Sequence, residues 1–396
     1  MHFGHAVSMD ESRIIVGAPY NNVRGTEAGA AFVYYWTGST WYKQAKLTSA
    51  DQAAYDRCGT SVSIDGNYAV VGCPTDDLSG AANAGSAYVW YWNGSSWAMQ
   101  DHLQAGDYGA SDQFGKSVAI SGDRIVVGAP YWDSATDQGS VYVFQRNGTA
   151  WDQWPDTSKK FTASDGAASD LFGTAVDIEG DYIIAGAPAN DAAYIFHYEW
   201  DSGEGRYSFV QTKLIDGGSY TAAGSYFGYS VGIAGTTYTY AVVGSPYEDY
   251  DGVPPDNWPM MGAAYVFYRL KSGDPWGEVE YLLGAAESYS QFGYSVAIDK
   301  TNSYRWIAVG APYRDAGGRS NAGEARVFQG NAGPYWSLVA TVTGSDAEAS
   351  QYTGSSVTIA RANAYAEAVV GSPYNDVLIG ATTYTDMGSA EICDGF

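Results

Sequence analysis

The sequence predicts an all-β chain folded as a seven-bladed β-propeller of four-stranded antiparallel blades, and three observations carry that expectation. A phrase of the form Phe-Gly-x-x-Val followed by Val-Gly-Ala-Pro recurs seven times, an aromatic run follows nearly every copy, and no stretch sustains a capped helical period. The first glycine of the phrase falls at Gly4, Gly59, Gly115, Gly173, Gly228, Gly293 and Gly354, so copies start 55 to 65 residues apart. The second falls at Gly17, Gly72, Gly128, Gly186, Gly244, Gly310 and Gly371. A fixed period of this size is the mark of a repeat architecture, and it overrides the two or three domains that 396 residues alone would suggest. The units run about 3–57, 58–113, 114–171, 172–226, 227–291, 292–352 and 353–396, within one domain.

Each unit reads as four strands. The first is the Ser-Val-Ala-Ile-like segment after Phe-Gly, and the second is the Ile-Val-Val-like run that ends at Gly-Ala-Pro. Proline closes that strand because it has no N–H for a ladder. The third is aromatic, as in Tyr88-Val89-Trp90-Tyr91-Trp92, and the fourth opens on an aromatic residue such as Trp41, Trp97, Trp151 or Trp336. Asn93-Gly94 and Asn147-Gly148 mark tight hairpins, since both residue types accept positive φ. The strands are apolar almost throughout, as blades packed face to face require, and a β-helix would need a much shorter period. Unit seven reaches a third strand near Ser389–Cys393 and shows no fourth, so an open edge is expected there.

Composition excludes several classes of function. With 20 Lys+Arg against 44 Asp+Glu the net charge is −24, which repels a phosphate backbone and rules against nucleic acid. Anionic membrane surfaces are disfavoured likewise. No run of about 18 apolar residues exists, so direct membrane insertion is not expected. The repeat begins at once with His2-Phe3-Gly4, so a leader is expected to lie upstream or to have been removed.

These units resemble the FG-GAP repeat, the unit of the propeller that heads integrin α-subunits. Ser121–Pro130, Ser-Gly-Asp-Arg-Ile-Val-Val-Gly-Ala-Pro, is similar to the variant found in non-integrin extracellular proteins. The resemblance spans the whole chain and implies an extracellular, secreted or cell-surface location, with adhesion, ligand binding or assembly as the role. Integrin-type repeats often carry Asp-x-Asp-x-Asp-Gly between strands one and two. Turns such as Asp65-Gly66-Asn67 have too few carboxylates for the six to eight oxygens calcium takes, so those sites are absent. The resemblance places the loops of Cys58 and Cys73 side by side, which implies a disulfide in an oxidising compartment. Cys393 is the odd cysteine and is expected to be a buried thiol.

Candidate sites follow from the loops. Tyrosine follows the Gly-Ala-Pro proline at Tyr20, Tyr131, Tyr247, Tyr313 and Tyr374, and aspartate stands three residues after it at Asp77, Asp133, Asp191, Asp249, Asp315 and Asp376. Propeller symmetry would set both as rings on one face, a surface for a ligand or partner; alternatively each aspartate caps its own turn. Asp249, Asp251 and Asp256 in the longest insertion are the best candidates for calcium, the one cofactor considered. Paired aspartates before Phe-Gly, such as Asp107 and Asp112, read as solvated loop charges. Gly228-Tyr229-Ser230-Val231-Gly232 matches a hydrolase elbow, but related segments recur in other units, so the match belongs to the repeat. Asn93 and Asn147 head N-glycosylation sequons. The expectation is therefore a non-catalytic adhesion or assembly propeller, bound to protein partners or to copies of itself through blade seven, with a glycan-binding propeller as the alternative.

Overall fold

Blade 3 shows how the repeat folds. Its strands are Ser117–Ser121, Arg124–Ala129, Ser140–Asn147 and Ala150–Trp154, and they pair in chain order as an antiparallel meander. The Ile125-Val126-Val127 run is fully buried on both faces, which explains the absence of alternation in the sequence. The computed structural model describes residues 1–10, 12–133, 136–154, 160–201, 206–215, 224–235, 238–251, 257–270, 274–284, 287–300, 304–330, 335–344, 349–362, 365–374, 377–379, 382–384 and 388–394. Six blades of the same order span Val7–Leu47, Ser61–Leu103, Ser117–Trp154, Val176–Leu214, Ser230–Leu283 and Ser295–Val342. The seventh has three strands, Ser356–Ala362, Tyr365–Ser372 and Ser389–Asp394. Two small ribbons, Tyr250–Asp251 with Asn257–Trp258 and Val377–Ile379 with Thr382–Tyr384, extend the loops of blades 5 and 7. Among the described residues the one helix is a single turn, Pro188–Asn190, and none is long and apolar enough to cross a membrane.

The core is seven cores, one between each pair of neighbouring blades. Between blades 2 and 3, for example, Val89 and Leu103 meet Phe114, Ile125 and Tyr142. The repeated glycines set how closely blades approach. A Cβ on Gly128 of blade 3 would lie 2.0 Å from the carbonyl oxygen of Gly173 in blade 4, a distance no side chain tolerates. Beside it, Ser117 Oγ donates to that same carbonyl at 2.8 Å. The ring closes by an identical joint: Gly371 of blade 7 faces the Gly4 carbonyl of blade 1, and Ser356 Oγ donates to it at 2.9 Å. The Phe-Gly and Gly-Ala-Pro phrases are thus two halves of one inter-blade lock.

On the opposite end, hairpins between strands one and two are linked blade to blade. The Asp10 carboxylate accepts the Gly66 N–H at 2.7 Å, and Asp65 accepts that of Gly122 at 2.5 Å. These short turns, where the integrin-type calcium loops would lie, are spent on joining blades.

Candidate functional site

Each Phe-Gly phrase begins with a residue in the left-handed region that is not glycine. In blades 1 to 4 these are His2, Arg57, Gln113 and Leu171, and in blades 5 to 7 Tyr226, Gln291 and Tyr352, all with φ between 50° and 58°. A turn follows in which the residue after the glycine donates its N–H back to that first position, as Lys116 does to Gln113 at 3.1 Å. The strain of a side chain at positive φ is therefore repeated at every blade. The residue after the glycine, His5, Thr60, Lys116 and Thr174 in blades 1 to 4 and Tyr229, Tyr294 and Ser355 in blades 5 to 7, is partly exposed in every blade. These positions and the tyrosines after Gly-Ala-Pro surround one end of the propeller axis.

Ring contacts join this end into an arc. Starting in blade 5, Tyr226 lies 5.0 Å from Tyr247, which lies 6.4 Å from Tyr229. Tyr229 meets Tyr294 of blade 6 at 5.0 Å, and Tyr294 meets Tyr313 at 6.2 Å. Tyr313 then meets Tyr352 of blade 7 at 5.1 Å, and Tyr352 meets Tyr374 at 5.2 Å. His2 of blade 1 sits between Tyr374 and Tyr20, at 4.3 and 4.4 Å. The Arg57 guanidinium of blade 2 ends the arc 5.3 Å over Tyr20, and its Nε and Nη2 edge donates to the Glu27 carboxylate at 3.1 and 2.9 Å. Burial raises the Tyr229 phenol, and the Tyr313 phenol is pushed up to about 12, so these hydroxyls remain protonated donors.

Blades 1 to 3 carry His5, Arg57 and Lys116 at the corresponding positions. Burial, reinforced by the charges of Lys116 and His2, pulls His5 down to about 4, which keeps its imidazole neutral. Burial also lowers the Lys116 ammonium, with Arg57 adding to the shift, and among the described residues no carboxylate pairs with it.

Four of the five predicted tyrosines, Tyr20, Tyr247, Tyr313 and Tyr374, are brought together in this arc; among the described residues Tyr131 lies outside its ring contacts. The aspartates three residues after the proline face their own loops or the next one. Asp77 accepts the Asn83 N–H at 2.8 Å, Asp315 that of Asn321 at 2.9 Å, Asp249 that of Met260 at 2.7 Å and Asp191 that of Tyr226 at 2.7 Å. Asp133 accepts the Thr136 hydroxyl at 3.1 Å, and Asp376 lies outside the described residues. Of the calcium candidates, Asp256 and the side chain of Asp251 also lie outside them. Among the described residues no three His, Cys, Asp or Glu side chains gather as a metal site needs.

The paired aspartates before Phe-Gly make specific bonds, with Asp107 and Asp165 about half exposed. Tyr142 donates to Asp107 at 2.8 Å and Lys160 pairs with it, while Asp112 accepts the Gly109 N–H at 2.6 Å. Ser230, the serine of the elbow-like segment, donates to the Gly293 carbonyl at 2.8 Å and is one of the inter-blade locks. Cys58 and Cys73 form a disulfide, both buried, which places the chain in a non-cytosolic, oxidising setting. Cys393 is half-buried against the core between blades 6 and 7, more open than expected. Asn93 and Asn147 stand exposed on hairpin tips, where the Asn93 side-chain Oδ1 accepts the Ser95 N–H at 3.0 Å.

Sequence reasoning missed Lys116, His5, Arg57, Tyr229, Tyr294 and Tyr352. Their signal was variation at two fixed slots of the repeat, which no local motif reveals.

Comparison with known proteins agrees with this architecture. The FG-GAP repeat profile matches residues 1–34, 41–90, 97–144, 155–196, 210–267 and 276–328. No curated protein sequence matches the chain. Among solved structures, one described as a "putative 6-phosphogluconolactonase" from Bacteroides fragilis has a TM-score of 0.54 at 10% identity, covering 97% of this chain and 99% of that one. A periplasmic gluconolactonase from Pseudomonas aeruginosa has a TM-score of 0.49 at 13% identity, covering 85% and 84%. The Bacteroides structure corrects the expectation of a non-catalytic chain: a propeller of this shape carries a lactonase description, so the fold gives no ground for excluding an enzyme. At such identity the likeness concerns fold alone and transfers no residue.

Proposed function

The chain belongs to the FG-GAP repeat family, and from that premise we propose that it is an extracellular binding propeller that recognises a sugar-containing ligand at the aromatic mouth of its axis. The observation that carries this reading is the arc from Tyr226 to Tyr20, nine rings over four blades. Tyrosine offers an apolar face and a hydroxyl at the same place, which suits the mixed surface of a sugar. A glycan array with the intact protein tests it. Selective binding that falls at least tenfold in Tyr313→Ala and Tyr374→Ala is expected, and binding that survives both would refute the placement.

A second reading, assembly through blade seven, is favoured by one observation. Among the described residues the sheet of blade seven has three strands where the other six have four, with Ser389–Asp394 the outermost. Light scattering separates the two: dimers or ordered polymers support assembly, and a monomer removes it.

A further inference from the structure

Blades 1 and 4 each set a lysine of strand four opposite the first aromatic residue of strand three, Lys46 across from Phe32 and Lys213 across from Tyr194. Each ammonium serves a loop oxygen: Lys46 donates to Asn21 at 3.0 Å, and Lys213 pairs with Asp165 at 2.6 Å. Lys160 pairs with Asp107 in the same way in blade 3. Blade 2 puts His102 at this place, across from Tyr88, and stacks the two rings with centroids 4.3 Å apart and 10° between planes. Both ring nitrogens of His102 face carboxylates. Nδ1 lies 3.7 Å from Asp51 Oδ2, and Nε2 lies 3.5 Å from Asp76 Oδ2. A neutral imidazole has one N–H and can serve only one of them, whereas the protonated ring serves both. The Asp76 contact is the less screened, because that side chain is 12% exposed against 54% for Asp51.

The surroundings hold acids and no permanent cation. Asp51, Asp56 and Asp76 crowd the Tyr88 phenol, which burial and these charges raise, so it stays neutral. Among the described residues no lysine or arginine pairs with those three carboxylates. Burial works to raise Asp51, but the Ser49 hydroxyl, its own N–H and His102 hold it below the usual carboxylate range. Asp76 accepts the Ser86 hydroxyl at 2.6 Å, and Asp77 the Asn83 N–H at 2.8 Å. Asp101, next to His102, is occupied by the His102 and Trp151 N–H groups. Asp56 accepts the Ala53 N–H at 2.6 Å, and burial pushes its carboxyl up to about 6, with Asp76, Asp77 and Asp51 adding to the rise. These acids belong to the loop that carries Arg57. The N–H groups of Tyr55, Arg57 and Cys58 fasten it to the carbonyls of Thr26, Glu27 and Ala28 in blade 1, at 2.8, 3.0 and 3.0 Å. The disulfide to Cys73 pins its far end.

Histidine changes charge between pH 5 and 8, and lysine does not. The attraction of His102 for its two carboxylates is present while the ring holds its proton and is lost as pH rises. Asp56 acts in the same sense. Its folded value lies above the unfolded one of about 3.9, so its contribution is full below about pH 4 and lost as pH climbs through 6. We propose that this cluster is a pH-sensitive clamp: protonated His102 bridges Asp51 and Asp76 and holds the Asp51–Arg57 loop on blade 1, and loss of that proton loosens the loop together with the Arg57 end of the arc. The clamp stands whatever the mouth binds.

Amide hydrogen exchange on the intact, disulfide-bonded protein tests it, read at about pH 5.5 and about pH 8 and corrected for the intrinsic rates. Protection of the Tyr55, Arg57 and Cys58 amides should fall at least tenfold from the lower pH to the higher. The matching amides of blade 4, Ser169, Leu171 and Phe172, lie in a loop whose Asp165 is held by Lys213, and they should change less than about threefold. His102→Lys installs the cation that blades 1, 3 and 4 use, and it should hold the blade 2 amides at their acid-side protection at both pH values. Asp76→Asn, which puts in blade 2 the residue that blade 1 has as Asn21 and blade 4 as Asn190, should narrow the pH effect. Protection that does not change with pH overturns the proposal, as does an equal fall in blades 2 and 4. A fall that survives His102→Lys and disappears in Asp56→Asn also overturns it, because the carboxyl alone would then be the sensor.

Discussion

The seams between blades and the mouth of the axis are built from the same repeated turn, yet they differ in what they allow to vary. At the seams, glycine faces a carbonyl at contact distance, and in five blades a serine (Ser61, Ser117, Ser230, Ser295 or Ser356) staples it, while Ala6 and Ala175 stand at that position in blades 1 and 4. At the mouth, the residues one step before and after those locks change from histidine to lysine to tyrosine around the ring. Repetition therefore marks what the fold requires, and departure from repetition marks where the scaffold is free to recognise something. The long insertions in blades 5 and 7 fall in loops of the same end.

Breaking a seam should have the largest effect. Gly128→Ala drives a methyl into the Gly173 carbonyl, and backbone cannot yield as a side chain can. A loss of about 3 kcal/mol is expected, at the upper end of overpacking penalties, measured by urea unfolding with parent and variant side by side. The Cys58–Cys73 disulfide is a local seam particular to blade 2, closing a separation of 15 residues. Its removal by a double Cys→Ala change should also cost about 3 kcal/mol, visible as a lower midpoint in the same assay.

A third test uses pH. Asp177, on the inner strand of blade 4, accepts the N–H of Ile233 in blade 5 at 2.8 Å and that of Ile178 at 2.9 Å. Burial outweighs both bonds and pushes its carboxyl up to about 7, with Glu179 adding a little. A folded value above the unfolded one of about 3.9 means that the native state holds the proton more tightly. Its contribution is fully present below about pH 4 and is lost as pH rises through 7. Asp177→Asn keeps the oxygen acceptor and sheds the charge, so its Tm should overtake the parent's as pH climbs from 4 to 8. A constant difference across that range would show the group to be ordinary. Ser117→Ala, which deletes one staple and leaves the Gly173 carbonyl short of a donor, should cost about 1 kcal/mol.

Much of this fold was legible in the chain because each blade restates it. Gly128 and Gly173 are 45 residues apart in sequence and touch in space, and their counterparts recur so often that their shared purpose shows without coordinates. The aspartates after Gly-Ala-Pro were legible only as a set; Asp77 and Asp315 could equally have faced a ligand, and only the Asn83 and Asn321 N–H groups show where they turn. Lys116 was hidden for the opposite reason. A single lysine in a variable slot carries no motif, and its meaning depends on His5 and Arg57, which stand in two other blades. Sites assembled from one residue per repeat are invisible to spacing rules that search within a repeat. The exclusion of enzymes failed on a related ground, since the absence of a local catalytic motif says little about side chains gathered around an axis.

The most direct measurement is the urea midpoint of Lys116→Met at pH 7, set beside that of Gly128→Ala. If the mouth serves recognition, replacing this partly exposed lysine should leave the midpoint unchanged or raise it, while the glycine variant falls. A drop in Lys116→Met comparable to the seam variant would contradict the account, because it would make Lys116 part of what holds the propeller together.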